Sequence, residues 1–194
     1  MFSTIVVFCG SNAGNHPIYC KVAAEVGKIL AEQKMSIVYG GAKIGVMGAL
    51  AQAALDNNGE VYGVIPLFLK TKEVAHEQLT KLIEVETMHE RKLKMHELSD
   101  GILALPGGWG TMEELFEMMT WAQLGLHPKP IGILNINGFY DPFLMMMEEM
   151  LQEGFIKHIH KEMIMVNEDI EVLLEMMKNY RAPEIKKWIT GQTV

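Results

Sequence analysis

Arg91 and Glu114 stand 23 positions apart, each inside a segment of unusual composition. The second segment reads Leu105-Pro-Gly-Gly-Trp-Gly-Thr-Met-Glu-Glu114. The apolar run before it, Gly101–Leu105, has the pattern of a short buried strand, which Pro106 ends. The glycines let the backbone turn sharply and approach a ligand closely. A glycine turn that opens a helix offers free N–H groups at the positive end of the helix dipole, an arrangement suited to an anion. The candidate donors are Gly107, Gly108, Gly110 and Thr111. Thr111-Met-Glu-Glu114 also has the spacing of a capping box, with Thr111 as N-cap and Glu114 reaching back. That would give the carboxylate a purely local role.

The first segment, Met88-His-Glu-Arg-Lys-Leu-Lys-Met-His-Glu-Leu-Ser99, reads as a helix. Met88, Met95 and Ser99 share one face, and at ~100° per residue Arg91 and Lys92 flank its midline. Glu90, Lys94 and Glu97 point away and read as a solvated face. Two inward cations need an anionic partner. Either a ligand anion meets them, or they snorkel or close an internal salt bridge. On the helix expected over Thr111–Leu124, Met112, Phe116, Met119 and Gln123 form one stripe. Glu114 falls on the other side, beside Met118 and Trp121. A helix apolar on both sides is covered on both sides. A second surface, such as another subunit, is the expected cover for Glu114, and partial burial would raise its pKa toward proton-transfer duty.

These residues need a frame to hold them. Apolar, β-rich runs at Thr4–Cys9, Met35–Tyr39, Glu60–Ile65, Leu82–Val85, Gly101–Leu105, Ile131–Leu134 and Glu162–Val166 read as strands. Helical spacing occupies Ile18–Lys34, Val46–Asn57, Met88–Ser99, Thr111–Leu124, Asp141–Glu153 and Ile170–Tyr180. Such alternation predicts an α/β fold, a parallel sheet with helices on both faces. Three strand–helix junctions are glycine-rich: 9–14 (CGSNAG), 39–45 (YGGAKIG) and 106–111 (PGGWGT). All three would lie at the carboxyl ends of strands, where open α/β sheets bind ligands. Ser11, Asn12 and Gly41 join the candidate ligand contacts on that ground. None of the three matches GxGxxG or a Walker P-loop, so neither a dinucleotide site nor an ATPase is indicated. Tight βα turns are the alternative reading of any one of them.

Composition narrows the partners. The chain has 194 residues and a net charge of −7, which disfavours a nucleic-acid backbone and leaves small anions held by local donors. Its length suits one domain over 1–194, with residues 181–194 as a possible arm. The two cysteines, Cys9 and Cys20, lack CxxC spacing and read as bland thiols. His89 and His96 are i, i+7, and His158-x-His160 reads as a surface coincidence, so no metal is expected. The 16 methionines read as core or interface filler. The first ten residues have no basic n-region and no long apolar run, and no segment approaches ~18 apolar residues. The expected location is the cytoplasm, without a membrane span.

Taken together, MHERK at 88–92, PGGWGTMEE at 106–114, GGAKIGVMG at 40–48 and FCGSNAG at 8–14 resemble the LOG family, whose plant members are cytokinin riboside 5′-monophosphate phosphoribohydrolases. The PGGxGTxxE signature is matched by Pro106, Gly107, Gly108, Gly110, Thr111 and Glu114, and the family's paired arginine by Arg91. The resemblance covers about residues 4–180. It implies a Rossmann-like three-layer fold, a homodimer with the active site near the subunit interface, and hydrolysis of the N-glycosidic bond of purine nucleoside 5′-monophosphates. One departure stands out. Plant-type members carry a glutamate just after the proline of the third strand; here Leu67 and Phe68 follow Pro66, in a longer loop over 66–80. Contacts to the base are expected to differ.

The chemistry can be assigned to residues. Cleaving the glycosidic bond builds positive charge on the ribose and negative charge on the departing base. Glu114 would stabilise the oxocarbenium-like centre or activate water. Arg91 would hold substrate hydroxyls or offset charge, with Lys92 as its helper. The amides of Gly108, Gly110 and Thr111, with the Thr111 hydroxyl, would hold the 5′-phosphate. The reaction needs no metal or cofactor. Two other classes are the alternatives: a nucleotide carrier or sensor that binds without turnover, and a pyridoxal-phosphate decarboxylase using Lys43 or Lys92 as the Schiff-base lysine.

Overall fold

The structure, a computed structural model, describes residues 2–70 and 75–184. Its strands are β1 (Thr4–Phe8), β2 (Ser36–Tyr39), β3 (Val61–Pro66), β4 (Lys81–Val85), β5 (Gly101–Ala104), β6 (Ile131–Leu134) and β7 (Ile164–Asn167). The helices are α1 (Ile18–Glu32), α2 (Gly45–Asp56), α3 (Leu67–Lys70), α4 (Met88–Glu97), α5 (Trp109–Gln123), α6 (Asp141–Gln152), α7 (His158–Lys161) and α8 (Ile170–Asn179). All seven strands predicted from apolar runs are present, within two residues at each end. The short helices α3 and α7, and a 3-10 turn at Ile136–Gly138, had no period long enough to signal them.

The strands form one parallel sheet in the order β4-β3-β2-β1-β5-β6-β7. Alternation along β1 shows how it divides two cores. Ile5, Val7 and Cys9 point into a layer with Ala23, Val26 and Leu30 of α1, Leu50 of α2 and Leu173 of α8. Val6 and Phe8 point the other way, toward Met95 of α4, Leu115 and Met118 of α5, and Phe143 of α6. Both faces of the sheet are therefore buried, which is why its strands read as continuous apolar runs. The chain runs outward from β1 to β4 and then returns to place β5 on the other side of β1. That reversal makes the β1/β5 boundary a topological switch point, and the crevice beyond it is the place for a ligand.

Helix ends correct one expectation. The Thr-x-x-Glu cap belongs to α4: Thr87 accepts from the Glu90 amide at 3.1 Å, and the Glu90 carboxylate accepts from the Glu86 amide at 2.8 Å. At α5 there is no such box. The helix starts two residues earlier, Gly108 is its N-cap, and the first helical bond runs from the Met112 amide to the Gly108 carbonyl at 3.1 Å. Thr111 is thus inside the first turn, and Glu114 is released from capping. Among the described residues, no helix is long and apolar enough to cross a membrane. The proposed arm lies partly outside the described residues; its first part, 181–184, is neither helix nor strand.

Candidate active site

A cavity of about 420 Å³ opens at the β1/β5 switch point. One wall is the loop after β1, with Ser11 and Asn12; the other is the loop after β5 and the start of α5, Pro106 to Thr111. Arg91 and Glu114 both reach it. The loops are fastened together: the Gly10 amide donates to the Pro106 carbonyl at 3.1 Å, and the Met47 amide donates to the Gly10 carbonyl at 3.0 Å.

The glycines of the α5 loop divide by what surrounds them. A Cβ on Gly107 would strike the Thr111 hydroxyl and come within 2.8 Å of the Gly10 nitrogen, so packing within the chain explains that glycine. Gly108 and Gly110 are different. No heavy atom lies within 4 Å of where their Cβ atoms would stand. The chain does not use that room; it borders the cavity, where a ligand can approach the backbone. The amides of Trp109, Gly110 and Thr111 precede the first helical bond of α5 and have no acceptor within the helix.

Arg91 is buried and anchored from behind. Its Nε donates to the Val64 carbonyl at 3.1 Å, and one terminal nitrogen donates to the Gly40 carbonyl at 3.2 Å. The ends of β2 and β3 thus aim the guanidinium. A Cβ at Gly40 would strike it, which accounts for that glycine. Glu114 is only 5% exposed. Burial raises its pKa to about 7, against the pull of the Arg91 cation; Glu113 and Glu117 push it up further and Lys92 draws it down. No ion pair within 4 Å joins Arg91 to Glu114, so both reach the cavity without cancelling each other.

Glu114 is covered by its own chain. Thr111, Glu114, Leu115, Met118 and Ala122 form the buried face of α5. Met118 sits in the core against the sheet, so it is not available to a second subunit, contrary to the sequence expectation. The stripe with Met112, Phe116 and Met119 is the half-buried one; Phe116 meets Phe143 edge-to-face at 5.5 Å. Hydrophobic period alone could not say which of two apolar faces meets the sheet.

Two other candidates are not in the cavity. Lys92 turns away and donates to Glu113 at 2.5 Å and Glu117 at 3.0 Å, the internal salt bridge weighed above. Burial opposes its charge, but the two carboxylates outweigh that and hold its pKa above the ordinary value. Gly41 has φ +87° and passes under Ile65 and Leu82, accepting from the His76 amide at 3.0 Å; it shapes the second loop without lining the cavity. That loop acts by bracing: Gly45, at φ +65°, packs on the Ser11 carbonyl, where a Cβ has no room. Sequence reasoning missed Tyr19, Val46, Met47 and Phe139 among the lining residues. Tyr19 and Phe139 meet edge-to-face at 5.9 Å, brought together from α1 and the turn after β6. That is a tertiary pairing with no local signal. Cys9 also lines the cavity, but burial and the neighbouring Glu114 charge raise its thiol pKa and leave it a poor nucleophile.

Known proteins resemble this chain in sequence and in fold. A family model described as "Possible lysine decarboxylase" matches residues 47–177. A probable cytokinin riboside 5′-monophosphate phosphoribohydrolase of Oryza sativa subsp. japonica is 45% identical over 179 residues, spanning 92% of this chain and 80% of that protein. A cytokinin riboside 5′-monophosphate phosphoribohydrolase of Arabidopsis thaliana is 41% identical over 179 residues, 92% of this chain and 84% of that protein. Among solved structures, the molybdenum cofactor binding protein of Rippkaea orientalis superimposes with a TM-score of 0.68 at 19% identity, covering 92% of this chain and 96% of that one. That likeness extends to the fold alone. The Arg91 and Glu114 segments both fall within the family match, and on the identity of these relatives the chain belongs to the LOG family.

Proposed function

We propose that the protein hydrolyses the N-glycosidic bond of nucleoside 5′-monophosphates, releasing the free base and ribose 5-phosphate. The observation that carries this reading is one cavity bordered by an acid–base carboxylate, a guanidinium and an open helix N-terminus. The amides of Gly108, Gly110 and Thr111, with the Thr111 hydroxyl, hold the 5′-phosphate; Ser11 and Asn12 close over it from the opposite loop. The ribose is then tethered with its C1′ near Glu114. As the bond to the base stretches, the ionised carboxylate stabilises the oxocarbenium-like centre or takes a proton from the attacking water. A pKa of about 7 suits the second role, because half the groups are ionised at neutral pH. Arg91 offsets charge and orients ribose hydroxyls. The aminohydrolysis of a base, or any step beyond this cleavage, is not required by the arrangement.

A pyridoxal-phosphate decarboxylase, which the family description names, finds no support in the lining residues. Among the described residues no lysine borders the cavity, Lys92 is held between two glutamates, and Lys43 is exposed. The chain's own residues do not fit a Schiff-base site there.

The protein works as a cytoplasmic homodimer with the cavity mouth at the interface. Trp109 is 93% exposed at the cavity rim, and Leu67, Phe68, Ile44 and Phe139 are exposed apolar residues too. Exposed apolar side chains such as Trp109 and Phe139 at the cavity are candidates for burial against a second copy. Light scattering at micromolar concentration should return the dimer mass, and Trp109→Ser should lower it; a wild-type monomer removes this part of the reading. The base is adenine or an N6-substituted adenine, read without the plant-type glutamate because Leu67 and Phe68 stand in its place. The deciding experiment is a panel of nucleoside monophosphates and matching nucleosides, scored for free base and ribose 5-phosphate. AMP should turn over and adenosine should not; equal kcat/KM for the two would remove the phosphate site.

A further inference from the structure

Two charged doublets face each other beside the cavity. Helix α4 carries Arg91 and Lys92; helix α5 carries Glu113 and Glu114, with Glu117 one turn on. Arg91 and Glu114 reach the cavity, and Lys92 reaches the other two carboxylates. The Lys92 side chain is 7% exposed and Glu117 22%, so that pair is largely sheltered, whereas Glu113 is 55% exposed and its pair is screened by water. Glu113 and Glu117 lie one helical turn apart, and the ammonium bridges them. The second oxygen of Glu117 is buried without a partner among the described residues.

The charges around Glu114 can be counted. Arg91 and Lys92 are positive and come from α4; Glu113 and Glu117 are negative and come from its own helix. The Cys9 thiol at the end of β1 is a further neighbour, and it stays neutral. The surroundings therefore sum to zero. Without Lys92 they would sum to −1, and a like charge disfavours ionisation of a buried carboxylate.

We propose that Lys92 is a positioning residue for the hydrolysis: by clasping Glu113 and Glu117 it locks α4 against α5, so that Arg91 and Glu114 share the cavity, and it balances the charge that Glu114 meets. This rests on the reaction proposed above and replaces the role of direct helper to Arg91 that the sequence suggested, since Lys92 does not line the cavity. A strictly structural ion pair would affect all pH values alike. A charge-balancing one must alter the pH at which Glu114 ionises.

The test is the pH profile of AMP hydrolysis, together with the carboxyl infrared band of Glu114 titrated in the free protein against E114Q. In Lys92→Met the acid-limb midpoint and the Glu114 titration should both rise by about one pH unit, the size expected for one charge lost near a buried group. The loss of kcat is then roughly tenfold greater at pH 6 than at pH 8.5 by the same principle. Lys92→Arg should keep the wild-type profile. The triple variant Lys92→Met, Glu113→Gln, Glu117→Gln leaves Arg91 as the remaining charge of the four, a sum of +1, so its midpoint should fall below that of the wild type. If Lys92→Met does not fold, the double variant Glu113→Gln, Glu117→Gln leaves the ammonium unbalanced, and the midpoint must fall. An unchanged Glu114 titration in Lys92→Met, or in the double variant where that is used, overturns the proposal. Because the infrared titration needs no turnover, wild-type protein inert toward AMP would strike the reaction and not the charge balance.

Discussion

Replacing Glu114 by Gln separates the cost of this carboxylate from its use. The substitution keeps size and shape and removes only the charge. Folding raises the Glu114 pKa from 4.5 to about 7, with burial as the main cause. The folded protein therefore holds this proton more tightly than the unfolded chain does. Stability that depends on the proton is present below the unfolded pKa and is lost as pH rises through the folded one. The difference, about 7 less 4.5, amounts to about 3 kcal/mol at 1.36 kcal/mol per pKa unit. Above pH 8 the wild type bears this whole penalty, and Glu114→Gln does not. The variant should therefore melt several degrees higher at pH 8, at about 2–4 °C per kcal/mol for a chain of this size. Near pH 4.5, where both side chains are neutral, the two melting curves should nearly coincide. Turnover should move the other way, falling at least ~100-fold with loss of the acid–base group. Calorimetry from pH 4.5 to 8.5 and an AMP assay give both readings. Equal melting temperatures at pH 8 would mean that Glu114 is not a strained carboxylate. Activity within a few fold of wild type would mean that it is not the catalytic one.

Arg91→Ala should cost at least ~100-fold in kcat; it also strands the Val64 and Gly40 carbonyls that the guanidinium satisfies, so melting should fall by the equivalent of about 1–3 kcal/mol. Gly108→Ala should fold as the wild type does, since its Cβ meets nothing within 4 Å, yet weaken AMP binding by intruding where the phosphate approaches; unaltered KM and kcat would remove that loop from the site. Gly107→Ala should instead lower the melting temperature outright, because its Cβ meets Thr111 and Gly10.

How much of this was legible in the sequence depended on whether the signal was local. The seven strands were, because a sheet covered on both faces makes each strand an unbroken apolar run between turn residues. The pairing of loops 9–14 and 106–111 followed from their place at strand ends, although nothing local says that β5 returns beside β1. Thr111 was misread for a physical reason. Thr-x-x-Glu fits a cap equally well at 87–90 and at 111–114, and only the extended backbone of Gly108 decides that α5 begins earlier. The same limit applies to the inward cations. Helical rotation put Arg91 and Lys92 on one buried face, and both are buried. It could not tell that one would bond the carbonyls at the ends of β2 and β3 and face the cavity, while its neighbour met two glutamates of α5. Adjacent residues on a helix diverge by ~100°, so a doublet of like charges can serve two partners at once. One cation is then kept for the ligand and the other for the scaffold. The separation matters for catalysis: had Glu114 met Lys92 directly, the pair would have neutralised the carboxylate that the reaction needs near its own pKa.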